Sequence, residues 1–199
     1  CLAPSAELVV QNYDKYLLTG APASIFSASA GRKELRHPVV FGTPLTVKNR
    51  VGRFGREFAM VVIDECHGLT PTVKEIIDAI KAQNPNLRVV GMSATPYRMG
   101  SGYIFAQWPD GKPVPAHQTT NPYFAACLYR ITAPELIEAG YLTPPTIGAI
   151  RADSYRTLDM ALNSRGQFDA DDVDRAYHGH GRKTAAIIAD VVAQAGNRQ

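Results

Sequence analysis

Residues 61–68 read VVIDECHG and residues 91–98 read GMSATPYR, and these two stretches decide the fold. In the first, an apolar run ends on the adjacent carboxylates Asp64 and Glu65. The apolar run predicts a buried strand, and open α/β sheets bind their ligands outside the carboxyl ends of such strands. Carboxylate oxygens at that edge suit Mg²⁺ that is bound together with phosphate groups. We therefore expect a doubly wound α/β domain with a nucleotide site at this edge.

Asp64 and Glu65 have separate roles in this interpretation. Mg²⁺ keeps much of its hydration and takes only one or two protein carboxylates, so Asp64 is the predicted metal ligand, through a water. Glu65 is the residue predicted to orient and deprotonate the water that attacks the γ-phosphate. His67 follows on the turn after the strand, within reach of the segment that carries Ser93 and Thr95. The alternative is that an acidic pair merely ends a strand and begins a polar loop.

Four stretches together resemble the motifs of superfamily-two helicases of the DEAD/DEAH type. VVIDECHG is similar to their motif II in a DECH form, and SATPYR at 93–98 to their motif III. CLAPSAELVVQNY at 1–13 is similar to motif Ia, and VVFGTPLTV at 39–47 to motif Ib. The segment GMSATPYRMGSGYIF, together with IEAGYLTPP at 137–145, further resembles the RadD-like branch of DNA-repair helicases. Type I restriction motor subunits and UvrB-like proteins share the first four motifs.

The resemblance implies a RecA-like P-loop NTPase fold, a parallel sheet with helices on both faces, plus a helical bridging segment. Residues 1–125 are then the C-terminal part of the first RecA-like domain, with motifs Ia, Ib, II and III. A loop or hairpin insertion is expected near 99–124, around the turn signal Pro-Asp-Gly at 109–111. Residues 126–199 are expected to form the bridging segment towards a second RecA-like domain.

The resemblance also implies an ATP-dependent DNA helicase or translocase that acts in DNA repair or recombination. ATP and Mg²⁺ are its expected cofactors, with Asp64, Glu65 and His67 as the cofactor contacts. Ser93 and Thr95, with His67, are expected to couple ATP hydrolysis to strand movement. A tight Ser/Thr turn closed by the following proline is the competing explanation for these two hydroxyls.

Nucleic acid is expected to contact the segments that resemble motifs Ia and Ib. The predicted contacts are Pro4, Ser5 and Ala6 in the first segment, and Gly42 and Thr43 in the second. In the resembling family the second segment touches the strand through backbone amides and a threonine hydroxyl. Single-stranded or branched DNA is the expected partner, alongside DNA-repair proteins.

The net charge of +3 is distributed unevenly along the chain. Between residues 32 and 56, seven basic residues stand against one Glu, and the rest of the chain is acidic by about three charges. The seven are Arg32, Lys33, Arg36, Lys48, Arg50, Arg53 and Arg56. Such a stretch can follow a phosphate backbone with sequence-independent affinity, and a solvated surface is the alternative.

The phosphate-binding signature G-x-x-x-x-G-K-[ST] does not occur in the 199 residues. We therefore expect an excerpt of a longer protein, one that does not hydrolyse ATP by itself. A hydrophobic share of 45% and a charged share of 20% are typical of a soluble folded chain, expected here to be cytoplasmic. Three cysteines without C-x-x-C spacing favour neither a disulfide framework nor a zinc site. No apolar run is long enough for a membrane span, so no membrane partner is expected.

Apolar periodicity predicts alternating strands and helices along the first half of the chain. The predicted strands cover 1–3, 24–27, 38–42, 58–64 and 87–92, and the predicted helices 5–18, 45–50 and 72–83. A short strand and helix are expected between Cys127 and Ala139, then a strand at 146–151 and helices at 169–177 and 182–195. Tyr103, Phe105 and Trp108 either stack on nucleic-acid bases or pack their own loop onto the domain.

Three function classes remain open from the sequence. The first is an ATP-dependent DNA helicase or translocase of the DNA-repair type. The second is the motor subunit of a type I restriction-type system, which moves duplex DNA for a nuclease without separating its strands. The third is a nucleic-acid-binding module without enzymatic activity.

Overall fold

Short strands and helices alternate along the chain in the computed structural model, which describes residues 1–54, 58–145, 160–161, 168–178 and 181–195. The helices are α1 (Ala6–Leu17), α2 (Pro44–Lys48), α3 (Pro71–Gln83), α4 (Ala133–Glu138), α5 (Ala170–Tyr177) and α6 (Gly181–Ala195). The strands are β1 (Ser24–Ser27), β2 (Arg32–Lys33), β3 (Val40–Gly42), β4 (Met60–Ile63), β5 (Arg88–Gly91), β6 (Tyr97–Arg98) and β7 (Gly102–Tyr103). Two 3₁₀ turns lie at Val51–Phe54 and Cys66–Gly68.

The strands form small sheets, with parallel pairing between β1 and β3 and between β4 and β5. β2 adds to β1 in antiparallel fashion, and the order of the first sheet is β2-β1-β3. Leu2 makes parallel bridges to Gly42 on one side and Ile63 on the other. The fold is thus mixed α/β, and the single predicted parallel sheet is reduced to small sheets that meet at the predicted strand 1–3. That strand is cut short because Pro4 has no N–H to donate and α1 begins directly after it.

Helices cover both faces of the strands around this junction. Neighbouring residues of a strand point to opposite faces, so Ile25 and Phe26 enter two different clusters of buried side chains. α1 contributes Val9 to the cluster that contains Ile25. α3 packs on the other cluster and buries side chains at the predicted spacing of three and four, namely Val73, Ile76, Ile77 and Ile80.

Both long helices of this half begin at capping side chains. The Ser5 hydroxyl accepts a hydrogen bond from the Leu8 amide at 3.3 Å, and the Thr70 hydroxyl accepts one from the Val73 amide at 3.4 Å. Such caps satisfy amides that the first helical turn leaves without a partner. They place the start of α1 directly after the Leu2 junction, and the start of α3 just after the carboxylate segment.

The described residues beyond 98 form turns, the short strand β7 and the helices α4, α5 and α6, with little burial. The turn at 109–111 is closed by an antiparallel bridge between Gln107 and Pro113. Trp108 has its ring centre 4.9 Å from that of Tyr103 and 5.1 Å from that of Phe105. These ring contacts favour packing within the loop over base stacking.

The expected strand after Cys127 is absent, because residues 127–132 have no regular structure and α4 follows directly. The strand expected at 146–151 lies outside the described residues. α5 and α6 form at the two predicted helical segments. Within the described part of the chain, no helix is long and apolar enough to cross a membrane.

Candidate nucleotide and nucleic-acid site

Asp64 is held in one orientation at the end of β4. Its backbone amide donates to the Leu2 carbonyl at 2.8 Å, which fixes it in the strand junction. Its Oδ1 atom accepts the Glu65 amide at 3.0 Å, and its Oδ2 atom accepts the Asn12 side-chain amide at 2.7 Å. Each carboxylate oxygen therefore has one donor and keeps further acceptor capacity.

Glu65 adopts a left-handed backbone conformation, with φ 51° and ψ 44°. Such angles are uncommon for residues other than glycine, and here they turn the chain sharply from β4 into the 3₁₀ turn. After this turn the Cys66 amide donates to the Met92 carbonyl at 3.0 Å, so the pairing of β4 with β5 is extended past the carboxylates. Sequence reasoning missed this conformation, because nothing in the DECH string distinguishes it from an ordinary strand end.

His67 joins the carboxylate segment to the motif III-like segment, as its position in the sequence suggests. Its Nδ1 atom lies 2.9 Å from the Ser93 hydroxyl, 3.5 Å from the Thr95 hydroxyl and 3.2 Å from Glu65 Oε2. One ring nitrogen either donates a single proton or accepts one, so these three groups compete for the same atom. The Ser93 hydroxyl also accepts the Thr95 amide at 3.0 Å, which shapes a compact Ser/Thr turn.

Arg98 fixes the other side of this turn. Its guanidinium donates to the His67 carbonyl and, at 3.4 Å, to the Leu69 carbonyl. The side chain that ends the motif III-like stretch is therefore an anchor for the segment after the carboxylates. The two motif-like stretches behave as one hydrogen-bonded unit.

Cys66 is a buried structural residue inside this unit. It is 3% exposed, and burial, with a further contribution from the charges of Glu65 and Asp64, raises the pKa of its thiol to about 11. The thiol therefore stays protonated at neutral pH. Gly91 lets it approach β5, because a Cβ atom at residue 91 would lie 2.7 Å from Cys66 Sγ and 2.5 Å from Phe124 Cζ.

A cleft of about 900 Å³ opens beside the two carboxylates. Asp64 and Glu65 lie along its wall together with the predicted nucleic-acid contacts Pro4, Ser5 and Ala6. Leu2 is the physical reason for this proximity, because it pairs with β4 two residues before Pro4. The cleft unites residues that lie about 60 positions apart in the sequence.

Gly42 and Thr43 are placed differently from the other predicted contacts. Both backbone polar groups of Gly42 are used in the junction, with the amide donating to the Cys1 carbonyl at 2.9 Å and the carbonyl accepting the Ala3 amide at 3.1 Å. Thr43 lines the cleft but is only 8% exposed, and its hydroxyl lies 3.1 Å from the Ser27 hydroxyl. The backbone of Gly42 is thus occupied in this conformation.

Some basic side chains between residues 32 and 56 form an ion pair or a cation–π contact, and others lie exposed. Lys48 forms an ion pair with Glu75 at 2.5 Å. Cation–π contacts hold two arginines, Arg32 at 5.9 Å from the Tyr13 ring centre and Arg53 at 5.7 Å from that of Phe26. Exposed Lys33 and Arg50 line the cleft, exposed Arg36 does not, and Arg56 lies outside the described residues. Among the described residues, no carboxylate lies within 4 Å of the Lys33 or Arg50 cation.

The donor set around Asp64 fits Mg²⁺ that arrives with phosphate groups. In the described part of the chain, no three His, Cys, Asp or Glu side chains are grouped to hold a metal by themselves. Mg²⁺ in phosphate sites takes one or two carboxylates and fills its other positions with water and phosphate oxygens. Asp64, with free acceptor capacity on both oxygens, matches that requirement.

β4 ends on Asp64 and Glu65, which His67 links to a Ser/Thr turn, and this is the type of arrangement expected in a helicase-like ATPase domain. Residues 1–98 match the family model described as type III restriction enzyme, res subunit, over just under half of the 199 residues. This match supports membership of a helicase superfamily. It does not support the resemblance to the RadD-like branch in particular. Domains of this kind generally use ATP and Mg²⁺ and bind DNA. The comparison with curated proteins gave no match.

Proposed function

We propose that this chain supplies the metal-and-water half of the ATP site, and one DNA-binding surface, of an ATP-dependent DNA helicase or translocase. The observation that carries the proposal is the shared cleft, in which Asp64 and Glu65 meet Pro4, Ser5 and Ala6. A motor must couple ATP hydrolysis to movement along DNA, and a cleft that holds both the carboxylates and the predicted nucleic-acid contacts suits that coupling. The family match at residues 1–98 supports the same class.

The chemistry divides between the two carboxylates. Phosphoryl transfer depends on positioning and charge neutralisation more than on covalent chemistry, and Mg²⁺ supplies that neutralisation at the phosphate oxygens. Asp64 would hold the ion, since its carboxylate is fixed by two hydrogen bonds from neutral amides and keeps its negative charge. Glu65, whose side chain is 43% exposed, would orient the attacking water and take its proton.

A restriction-type motor is favoured over a DNA-repair helicase. The matched family is named for the res subunit of type III restriction enzymes, whereas the resemblance to the RadD-like branch rests on the sequence stretches alone. A nuclease activity in the full-length protein, fuelled by ATP, supports the restriction-type role. DNA unwinding without cleavage supports the repair-type role instead.

Lys33 and Arg50 are the cations that we assign to the DNA backbone. Both are exposed at the cleft, and neither has a carboxylate partner among the described residues. Lys48, Arg32 and Arg53 are held by Glu75 or by aromatic rings, so their charges are less available for phosphate. The basic stretch therefore contacts DNA through a subset of its residues.

Glu65→Gln tests the ATPase assignment in a form of the protein that carries a phosphate-binding loop. We expect ATP turnover to fall by at least about 100-fold, while ATP binding and DNA binding remain, because the base is lost and the metal ligand stays. Glu34→Gln, which removes an exposed carboxylate outside the cleft, is the matched control. Near-normal turnover in Glu65→Gln would refute the assignment.

Arg50→Ala and Lys33→Ala test the DNA surface in the 199-residue chain. Loss of one phosphate contact should lower the slope of log Kd against log salt by about one. Arg36→Ala and Lys48→Ala remove the same charges elsewhere and should change the slope less. Fluorescence anisotropy with a labelled oligonucleotide at several salt concentrations measures this, and equal slopes for all four variants would contradict the assignment.

A further inference from the structure

We infer that Asn12 is a positioning residue that orients the Asp64 carboxylate and ties it to the helix that begins at the DNA-binding cleft. The inference rests on the proposed function. It extends that function to Asn12, which lies in the stretch similar to motif Ia but is not among the predicted catalytic or binding residues. Its basis is the hydrogen bond from Asn12 Nδ2 to Asp64 Oδ2 at 2.7 Å, between residues 52 positions apart.

The bond completes the fixation of a single carboxylate. With the Glu65 amide on Oδ1 and the Asn12 amide on Oδ2, the Asp64 side chain has a donor at each oxygen and cannot rotate without losing both. A carboxylate in a predefined orientation binds a cation without first losing side-chain freedom. Asn12 thus contributes geometry to the metal ligand.

The chemical type of the donor is significant. An asparagine amide is neutral, so it orients Asp64 and leaves the full negative charge for a cation. A lysine or arginine at this place would compensate the charge and compete with Mg²⁺. In the interior of α1, asparagine is also a poorer helix former than alanine, leucine or glutamine, which is consistent with a role outside helix stability.

The position of Asn12 on α1 gives the bond a second consequence. The same helix begins at Ser5 and Ala6, which line the cleft. A shift of α1 on DNA binding would move Asn12 relative to Asp64 with no other element between them. The hydrogen bond is a side-chain connection between α1 and the predicted metal ligand, in addition to the backbone bond between Asp64 and Leu2.

Manganese titration of the 199-residue chain tests the positioning role without catalysis. Paramagnetic Mn²⁺ should broaden the NMR amide signals of residues 64 and 65, and Asn12→Ala should raise the Mn²⁺ concentration required about tenfold, a typical effect of losing a second-layer partner of a metal ligand. Asn12→Gln keeps an amide donor and should recover part of the affinity. Gln11→Ala, at an exposed neighbouring position of α1, should leave it unchanged.

The ATPase of the full-length protein provides the second measurement. Asn12→Ala should raise the Mg²⁺ concentration for half-maximal DNA-stimulated turnover about tenfold, with the KM for ATP at excess Mg²⁺ nearly unchanged. Asn12→Asp should cost more, because two carboxylates would then face each other.

The two measurements separate this inference from the proposed function. Absence of any ATPase in the full-length protein would refute the proposed function, while the Mn²⁺ titration would still decide the role of Asn12. Wild-type Mn²⁺ broadening in folded Asn12→Ala would overturn the inference, even if the ATPase is present.

Discussion

Residues 1–98 and residues 99–195 use apolar side chains in opposite ways. α3, in the first region, buries Ile76 and Ile77 to 1% exposure or less, whereas Ile188 on α6 is 57% exposed. Both helices have the spacing of an amphipathic helix. Helical periodicity therefore identifies the apolar side of a helix but not whether that side is buried. In the first region, packing against the strands buries it.

Burial after residue 98 is sparse. Phe105 and Val114 are the buried side chains among the described residues of that region. It contacts the first region through Ile104 and Phe124, which pack against the cluster around α3, through a cation–π contact of Tyr123 with Lys74, and through the pairing of β7 with β6. The second region therefore depends on the first for its contacts, and the first contains both clusters of buried residues.

The largest expected effect comes from truncating the same side chain in both regions. Ile77→Ala should lower the free energy of unfolding by about 2–5 kcal/mol, because it removes buried methyl groups and leaves a cavity. Ile188→Ala should change it by less than about 0.5 kcal/mol. Urea denaturation followed by circular dichroism measures both, and similar losses would remove the contrast between the regions.

A smaller effect is expected where the two regions touch. Gly91→Ala would place a methyl group 2.5 Å from Phe124 Cζ, and we expect a loss of about 1–3 kcal/mol from overpacking. Gly52→Ala, with nothing within 4 Å of its added Cβ, is the control. Adding Phe124→Leu should recover part of the stability of Gly91→Ala, and no recovery would mean that Cys66 Sγ is the main obstacle.

The smallest expected effect concerns helix caps. Thr70→Ala removes the cap of α3 and should cost about 1 kcal/mol of global stability. Thr132→Ala removes a complete capping box from α4, which has no buried residue. Its loss should unfold α4 locally, without moving the global midpoint. Hydrogen exchange of the α4 amides, set beside the urea midpoint, distinguishes the two results.

Local signals in the sequence were sufficient for most elements of the first region. The strand at 24–27 has the predicted bounds, and α3 begins one residue before its predicted start. These elements have clear boundaries because apolar runs, capping residues and prolines all act within a few positions. β2 was missed, because two exposed basic residues have no apolar pattern.

The sequence indicates which residues belong to the candidate site, but it does not indicate all of the hydrogen bonds that position them. Asp64, Glu65 and His67 are readable from the DECH string, and the contact of His67 with Ser93 is present. The bond from Asn12 to Asp64 and the occupied backbone of Gly42 were not predictable, because both depend on how Leu2 pairs with strands on either side. Long-range pairing of this kind leaves no local signal.

The junction at Leu2 has a consequence for how cooperatively the first region unfolds. The amides of Leu2 and Asp64 connect it to β4, and those of Ala3 and Gly42 connect the same short stretch to β3. Among the described residues, this short stretch supplies the backbone hydrogen bonds between the two small sheets, while one buried cluster packs side chains of both sheets, such as Phe26 and Val61, against α3. Hydrogen exchange at Asp64 and Gly42 therefore reports whether the halves open together or one after the other.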